Sequence, residues 1–189
     1  HLERRLEVLD LVNLLRLLHD ADDDLCAFGF LRSPFVSLRD DVIARIRLSS
    51  SKRPLLRQAR SFLDGDEWSP SDSEHVPSLE REGLTRALDA LDEGRALVGR
   101  RPLHEIVDGV LERTGYREHL VLGDGYEEAL ANIQGLLRMI EGYRELELGQ
   151  FLEMWDRWAG EDPGIPQAAM HSSDDDVVTL STIHAAKGL

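Results

Sequence analysis

The chain has 189 residues, which suits one compact domain, or a domain with an appendage, and is enough to bury a real core. Hydrophobic residues make up 42% of it, ordinary for a globular protein, and no apolar run approaches the ~20 residues that span a bilayer. The formal net charge of −14 argues against nucleic acid being wrapped by the whole surface. The single cysteine, Cys26, excludes an internal disulfide framework and fits a reducing, cytoplasmic setting.

In chain order, residues 2–19 place Leu2, Leu6, Leu9, Val12, Leu14, Leu15, Leu17 and Leu18 at three- and four-residue steps. That spacing predicts an amphipathic helix with a wide buried stripe. Asp20-Ala21-Asp22-Asp23-Asp24 ends it and offers carboxylates to cap a second helix over 23–31, short, largely apolar and expected to be buried on most sides. Cys26 within it reads as a small buried hydrophobe rather than a nucleophile. Ser33-Pro34 stops that helix, because the residue before proline avoids the helical region. Ser37, with Asp40 three residues on, reads as the N-cap of a third helix to Arg47, and Pro54 opens a fourth running to Leu63.

Residues 64–78 are rich in Asp, Ser, Pro and Gly and predict an exposed loop. Helical period returns over 79–98, 103–113 (closed by Gly115), 126–143 and 148–158. Phe151, Trp155 and Trp158 share one face of the last, a spacing that favours core over base stacking. The body, residues 1–160, is therefore read as all-α. Residues 161–176 read as a linker, and the β-branched run from Asp176 to Ser181 as a strand opening a unit over 177–189. A lone strand cannot satisfy its own backbone, so its sheet is expected to lie outside this chain, which is read as a fragment.

Charge is uneven along the sequence. Between Arg39 and Arg60 lie seven basic residues against Asp40 and Asp41, a local +5. Such a cluster is either a solvated face or a patch for duplex phosphates, with Arg45, Lys52, Arg53 and Arg57 as the candidate contacts. The aspartate runs read as caps and solvated turns, and the histidines show no metal-ligand spacing, so no metal site is assigned. No G-x-x-x-x-G-K-[ST] loop occurs.

The last twelve residues, Val178-Thr179-Leu180-Ser181-Thr182-Ile183-His184-Ala185-Ala186-Lys187-Gly188-Leu189, resemble the fifth motif of UvrD/Rep/RecB/AddA superfamily-one DNA helicases, V-x-L-x-T-x-H-x-x-K-G-L, at all seven fixed positions. A second resemblance, to RecB- and AddA-like proteins, covers Glu7-Val8-Leu9-Asp10-Leu11-Val12-Asn13-Leu14-Leu15-Arg16-Leu17-Leu18, then Asp22-Asp23-Asp24 and Leu31-Arg32-Ser33-Pro34-Phe35. The resemblance implies that residues 1–160 are a helical 2B-like subdomain and that 177–189 re-enter the RecA-like 2A domain. It implies that Thr182 and His184 approach the backbone of a single strand, and that Lys187 and Gly188 lie near the nucleotide. It implies ATP and Mg²⁺ for the full-length parent and neither for the fragment, which has no catalytic residue of its own and is expected to be inactive alone. The implied partners are DNA and a companion helicase/nuclease subunit, with no membrane. The alternative is a non-enzymatic, all-helical interaction module.

Overall fold

The computed structural model describes residues 5–49, 52–65, 77–123 and 125–160. The linker over 161–176 and the strand and motif over 177–189 lie outside the described residues. Within them every regular element is a helix: α1 (Leu6–His19), α2 (Asp24–Arg32), α3 (Asp40–Ser49), α4 (Leu55–Asp64), α5 (Ser78–Leu97), α6 (Leu103–Thr114), α7 (Tyr116–Val121), α8 (Tyr126–Gly142) and α9 (Leu148–Gly160). The all-α expectation for the body holds.

The leucine-rich α1 is the central element, packed by α2, α5, α6, α8 and α9. Val8, Leu11, Leu14, Leu15 and Leu17 are fully buried, and burying one such side chain stabilises the fold by about 1.5–3 kcal/mol. Two residues of the predicted stripe depart from it: Leu6 is 76% exposed and Leu9 42%. The apolar face that meets neighbours runs through Val8, Leu11, Leu15 and Leu18, so Leu6 and Leu9 fall on an adjacent, open face. α2 departs likewise. Cys26, Ala27, Phe30 and Leu31 are buried, whereas Leu25 is 82% exposed and Phe28 40%.

The helix ends follow from local chemistry. Asp23 accepts the amides of Leu25 and Cys26, each at 3.0 Å, and so caps α2. The hydrogen bond from the Cys26 amide holds the Asp23 carboxyl below its ordinary range. Ser33 ends α2 in an extended conformation (ψ 170°) ahead of Pro34, and its hydroxyl donates to the Phe30 carbonyl at 2.8 Å. Ser37 is not the cap of α3. It sits at φ +60°, its amide donates to the Ser33 carbonyl at 2.7 Å, and the first α3 bonds run from Val42 and Ile43 to the Arg39 carbonyl. The chain spends Ser37 on the turn after Pro34, and the helix starts only beyond it. Gly115, at φ +70°, closes α6 as expected but opens α7 directly. That short helix is absent from the periodicity reading because six residues are too few to display a period.

α5 and α6 pack along much of their lengths. A Cβ at Gly94 would lie 3.0 Å from Leu18 Cδ2 and 3.3 Å from Ile106 Cγ2, so glycine there sets how closely α5 approaches α1 and α6. Phe151 and Trp155 of α9 are buried. Trp158 is half-buried against Tyr143, with ring centroids 5.5 Å apart. The core reading of this aromatic face therefore holds for the first two and partly for the third.

Candidate functional site

Arg45 lies on α3, Lys52 and Arg53 in the turn that follows, and Arg57 on α4, all exposed. One α-hairpin thus carries all four candidates. What the sequence did not display is that acidic residues from other elements come to this hairpin. Arg57 forks onto Asp22 through Nε (3.2 Å) and Nη2 (3.1 Å). Asp24 accepts Arg47 at 2.9 Å and the Leu55 amide at 2.7 Å, so one carboxylate binds an arginine of α3 and caps α4. Arg60 reaches Asp89 at 2.7 Å and Asp92 at 2.6 Å on α5, and Arg39 reaches Glu80 at 3.0 Å.

The acidic turn and the basic stretch therefore largely neutralise each other, and the local +5 is not a free +5. Exposed pairs of this kind contribute only about 0–1 kcal/mol each, but each places an anion where a phosphate would have to come. Arg45 and Lys52 make no ion pair among the described residues. The hairpin's cationic character therefore concentrates at its tip. Thr182, His184, Lys187 and Gly188 lie outside the described residues.

A second feature is built by the polar positions of α1 together with the Ser-Pro-Phe turn. Tyr116, fully buried, donates its hydroxyl to Asp10 Oδ2 at 2.8 Å. Its ring lies 4.4 Å from that of Phe35, which in turn stacks on Phe30 at 5.0 Å. Burial pushes the Asp10 carboxyl up to about 6, against the lowering effect of the Tyr116 bond, and nearby Glu7 adds to the rise. Burial likewise pushes the Tyr116 hydroxyl up. On the same face of α1, Glu7 accepts Asn132 Nδ2 at 2.6 Å. The Asn13 amide sits so tightly against Gly29 that a Cβ there would collide with its Nδ2. Glu7, Asp10 and Asn13, spaced i, i+3 and i+6, form a polar line along an otherwise leucine-rich helix. That spacing is a signal the periodicity count passed over.

Cys26 is buried, and burial pushes its thiol up to about 12, far from the thiolate a nucleophile needs. Among the described residues, no three His, Cys, Asp or Glu side chains gather as a metal site, and no helix is long and apolar enough to cross a membrane.

This helical body and the two motif-bearing segments define a relative of DNA-helicase subunits. Over nearly its whole length, the chain is homologous to one segment of the large subunits of ATP-dependent helicase/nucleases. The helicase/nuclease protein from Lysinibacillus sphaericus is 29% identical over 187 residues, covering 97% of this chain and 15% of that protein. The one from Oceanobacillus iheyensis is 26% identical over 187 residues, and that from Bacillus licheniformis 28% over 191, in each case across 97% of this chain and 14% of the relative. The chain thus spans about one-seventh of the length of these relatives. No protein-family profile matches it.

Proposed function

We propose that this chain is a segment of an ATP-dependent DNA helicase acting in DNA repair or recombination, inside the cytoplasm. Residues 1–160 are its helical 2B-like subdomain, 161–176 a linker, and 177–189 the fifth motif on the re-entry into the 2A domain. The observation that carries this reading is the similarity to ATP-dependent helicase/nuclease proteins across 97% of the chain. DNA is the substrate, and the partner is a companion helicase/nuclease subunit. The 189 residues hold no phosphate loop, so they do not fit Mg-ATP. The nucleotide is held elsewhere in the longer polypeptide.

In this reading Thr182 and His184 donate to the phosphates of the tracking strand. A hydroxyl and an imidazole N–H are neutral donors and release a phosphate at each step more readily than fixed charges would. Lys187 and Gly188 bring the chain back toward the nucleotide, where glycine permits close approach. Replacing His184 with alanine in the longer polypeptide removes one hydrogen bond, worth roughly 0.5–1.5 kcal/mol net, so DNA affinity is expected to fall only several-fold. Unwinding is expected to fall further, since every step repeats the contact, while ATPase activity without DNA stays at its basal rate. Equal losses in all three on one preparation would count against the assigned contact.

The tip of the α3–α4 hairpin is the proposed duplex contact. Arg45→Glu, Lys52→Glu and Arg53→Glu are each expected to weaken duplex binding and to flatten its salt dependence by about one in log–log slope per lost phosphate contact. Arg57→Glu is expected to cost less, because Asp22 already neutralises Arg57. Fluorescence anisotropy across a salt series decides it. A loss at Arg57 as large as that at Arg45 would sink the ion-pair argument.

A further inference from the structure

Between α1, α2 and the α7–α8 corner lies an open groove of about 920 Å³. Its walls are apolar and wet: Leu6 is 76% and Leu122 88% exposed, with Leu9, Phe28 and Tyr126 also in contact with solvent. Asp10 and Tyr116 are among the residues that line it. A surface that leaves several large apolar side chains side by side marks an interaction site.

The charges around the groove say what kind. Arg5 is paired with Glu128 at 2.5 Å and Arg32 with Asp40 at 3.2 Å, both at exposed positions. Glu7 is held by Asn132, and His119 is the remaining titratable group on the wall. Asp10 has one partner among the described residues, the Tyr116 hydroxyl, and no cation. A carboxylate accepts at about four lone-pair positions, so most of its capacity is unused. Burial without a cation is also why its carboxyl resists ionisation.

We propose that this groove docks a basic amphipathic helix of a partner protein, its apolar side chains against Leu6, Leu9 and Leu122 and one lysine or arginine reaching Asp10. Helix-in-groove recognition needs an apolar trough, and the uncompensated carboxylate selects a cation within it. A second copy of this chain is the wrong occupant, because each copy carries −14 and the two would repel.

The test uses the 189-residue chain and a fluorescein-labelled leucine/lysine helix of roughly 18 residues, about 27 Å long. Its counterpart carries glutamate for every lysine. The lysine peptide is expected to bind and the glutamate peptide not. Asp10→Asn is expected to weaken binding by about tenfold or more, as loss of one partner of a buried charge pair does. Leu122→Glu is the deciding variant. It makes the surface more acidic, so diffuse attraction of a basic peptide would tighten, whereas docking in the groove weakens about tenfold. Circular dichroism melts check that both variants stay folded, which the exposure of Leu122 permits. Unchanged or tighter binding by Leu122→Glu overturns the proposal, as does an Asp10→Asn variant that binds like the parent. Sedimentation that finds a dimer abolished by Leu122→Glu also overturns it, in favour of a second copy.

Discussion

Truncating Leu14 to alanine is expected to lower the free energy of unfolding by about 2–5 kcal/mol, whereas Leu6→Ala on the same helix is expected to cost less than about 0.5 kcal/mol. Leu14 is fully buried on a helix that contacts five others, so the lost methyl groups leave a cavity that no single neighbour can collapse into. Leu6, at 76% exposure, leaves nothing behind. Gly94→Val gives the opposite insult on the same core. Its branched side chain would enter space already filled by Leu18 and Ile106, and overpacking of this kind costs about 1–3 kcal/mol. Denaturant titration of the three variants measures all of this. A Leu6→Ala loss equal to that of Leu14→Ala would mean that α1 is wrapped on every side and that the groove does not exist.

Asp10→Asn is expected to stabilise the protein above neutral pH. Folding raises the Asp10 pKa from its ordinary 3.8 to about 6, so the folded state binds this proton more tightly than the unfolded chain. Between those values the folded state carries more bound proton, and stability falls as pH rises. The loss is complete above about pH 6, and a rise of this size sets its ceiling near ~3 kcal/mol. Asparagine removes the titration while its Oδ1 still accepts the Tyr116 hydroxyl. The variant is therefore expected to match the parent below about pH 4 and to exceed it at about pH 8, by up to about 3 kcal/mol. Tyr116→Phe works the other way. It removes the one hydrogen bond that lowers the pKa, so the Asp10 midpoint moves higher and stability at about pH 8 falls by about 1–3 kcal/mol. Since Glu7 and His119 also titrate nearby, the difference between parent and Asp10→Asn across roughly pH 4–8 is the quantity to follow. A flat difference curve would show that Asp10 is no more perturbed than a surface carboxylate.

Much of the architecture is legible in the residues because helices report themselves locally. The three- and four-residue steps of α1, α5, α6, α8 and α9, the Asp23 cap, the Ser33-Pro34 stop and the Gly115 close all depend on neighbours within one or two turns. The family resemblance is legible for the same reason: a motif of seven matched positions in Val178 to Leu189 is contiguous, and comparison with relatives across 97% of the chain extends it. The boundary errors also have local causes. Ser37 carries the chemistry of a cap, but Pro34 upstream claims it for a turn at φ +60°, and α7 is too short to show a period.

Sequence by itself determined which segments are helical, that the body is all-α, and which residues could serve DNA and nucleotide in a motor of this kind. It could not determine which charges are free, because that depends on pairs distant in the chain. Arg57 reads as one of seven cations until Asp22, 35 positions away, meets it, and Arg60 until α5 brings Asp89 and Asp92. Nor could it show that Asp10 lies buried against Tyr116, 106 positions on, in a trough of exposed leucines. Helical periodicity is set by interactions within a few residues, whereas electrostatic neutralisation and desolvation depend on distance in space. Only the packing of α2, α5 and α7 around α1 and the α3–α4 hairpin decided those.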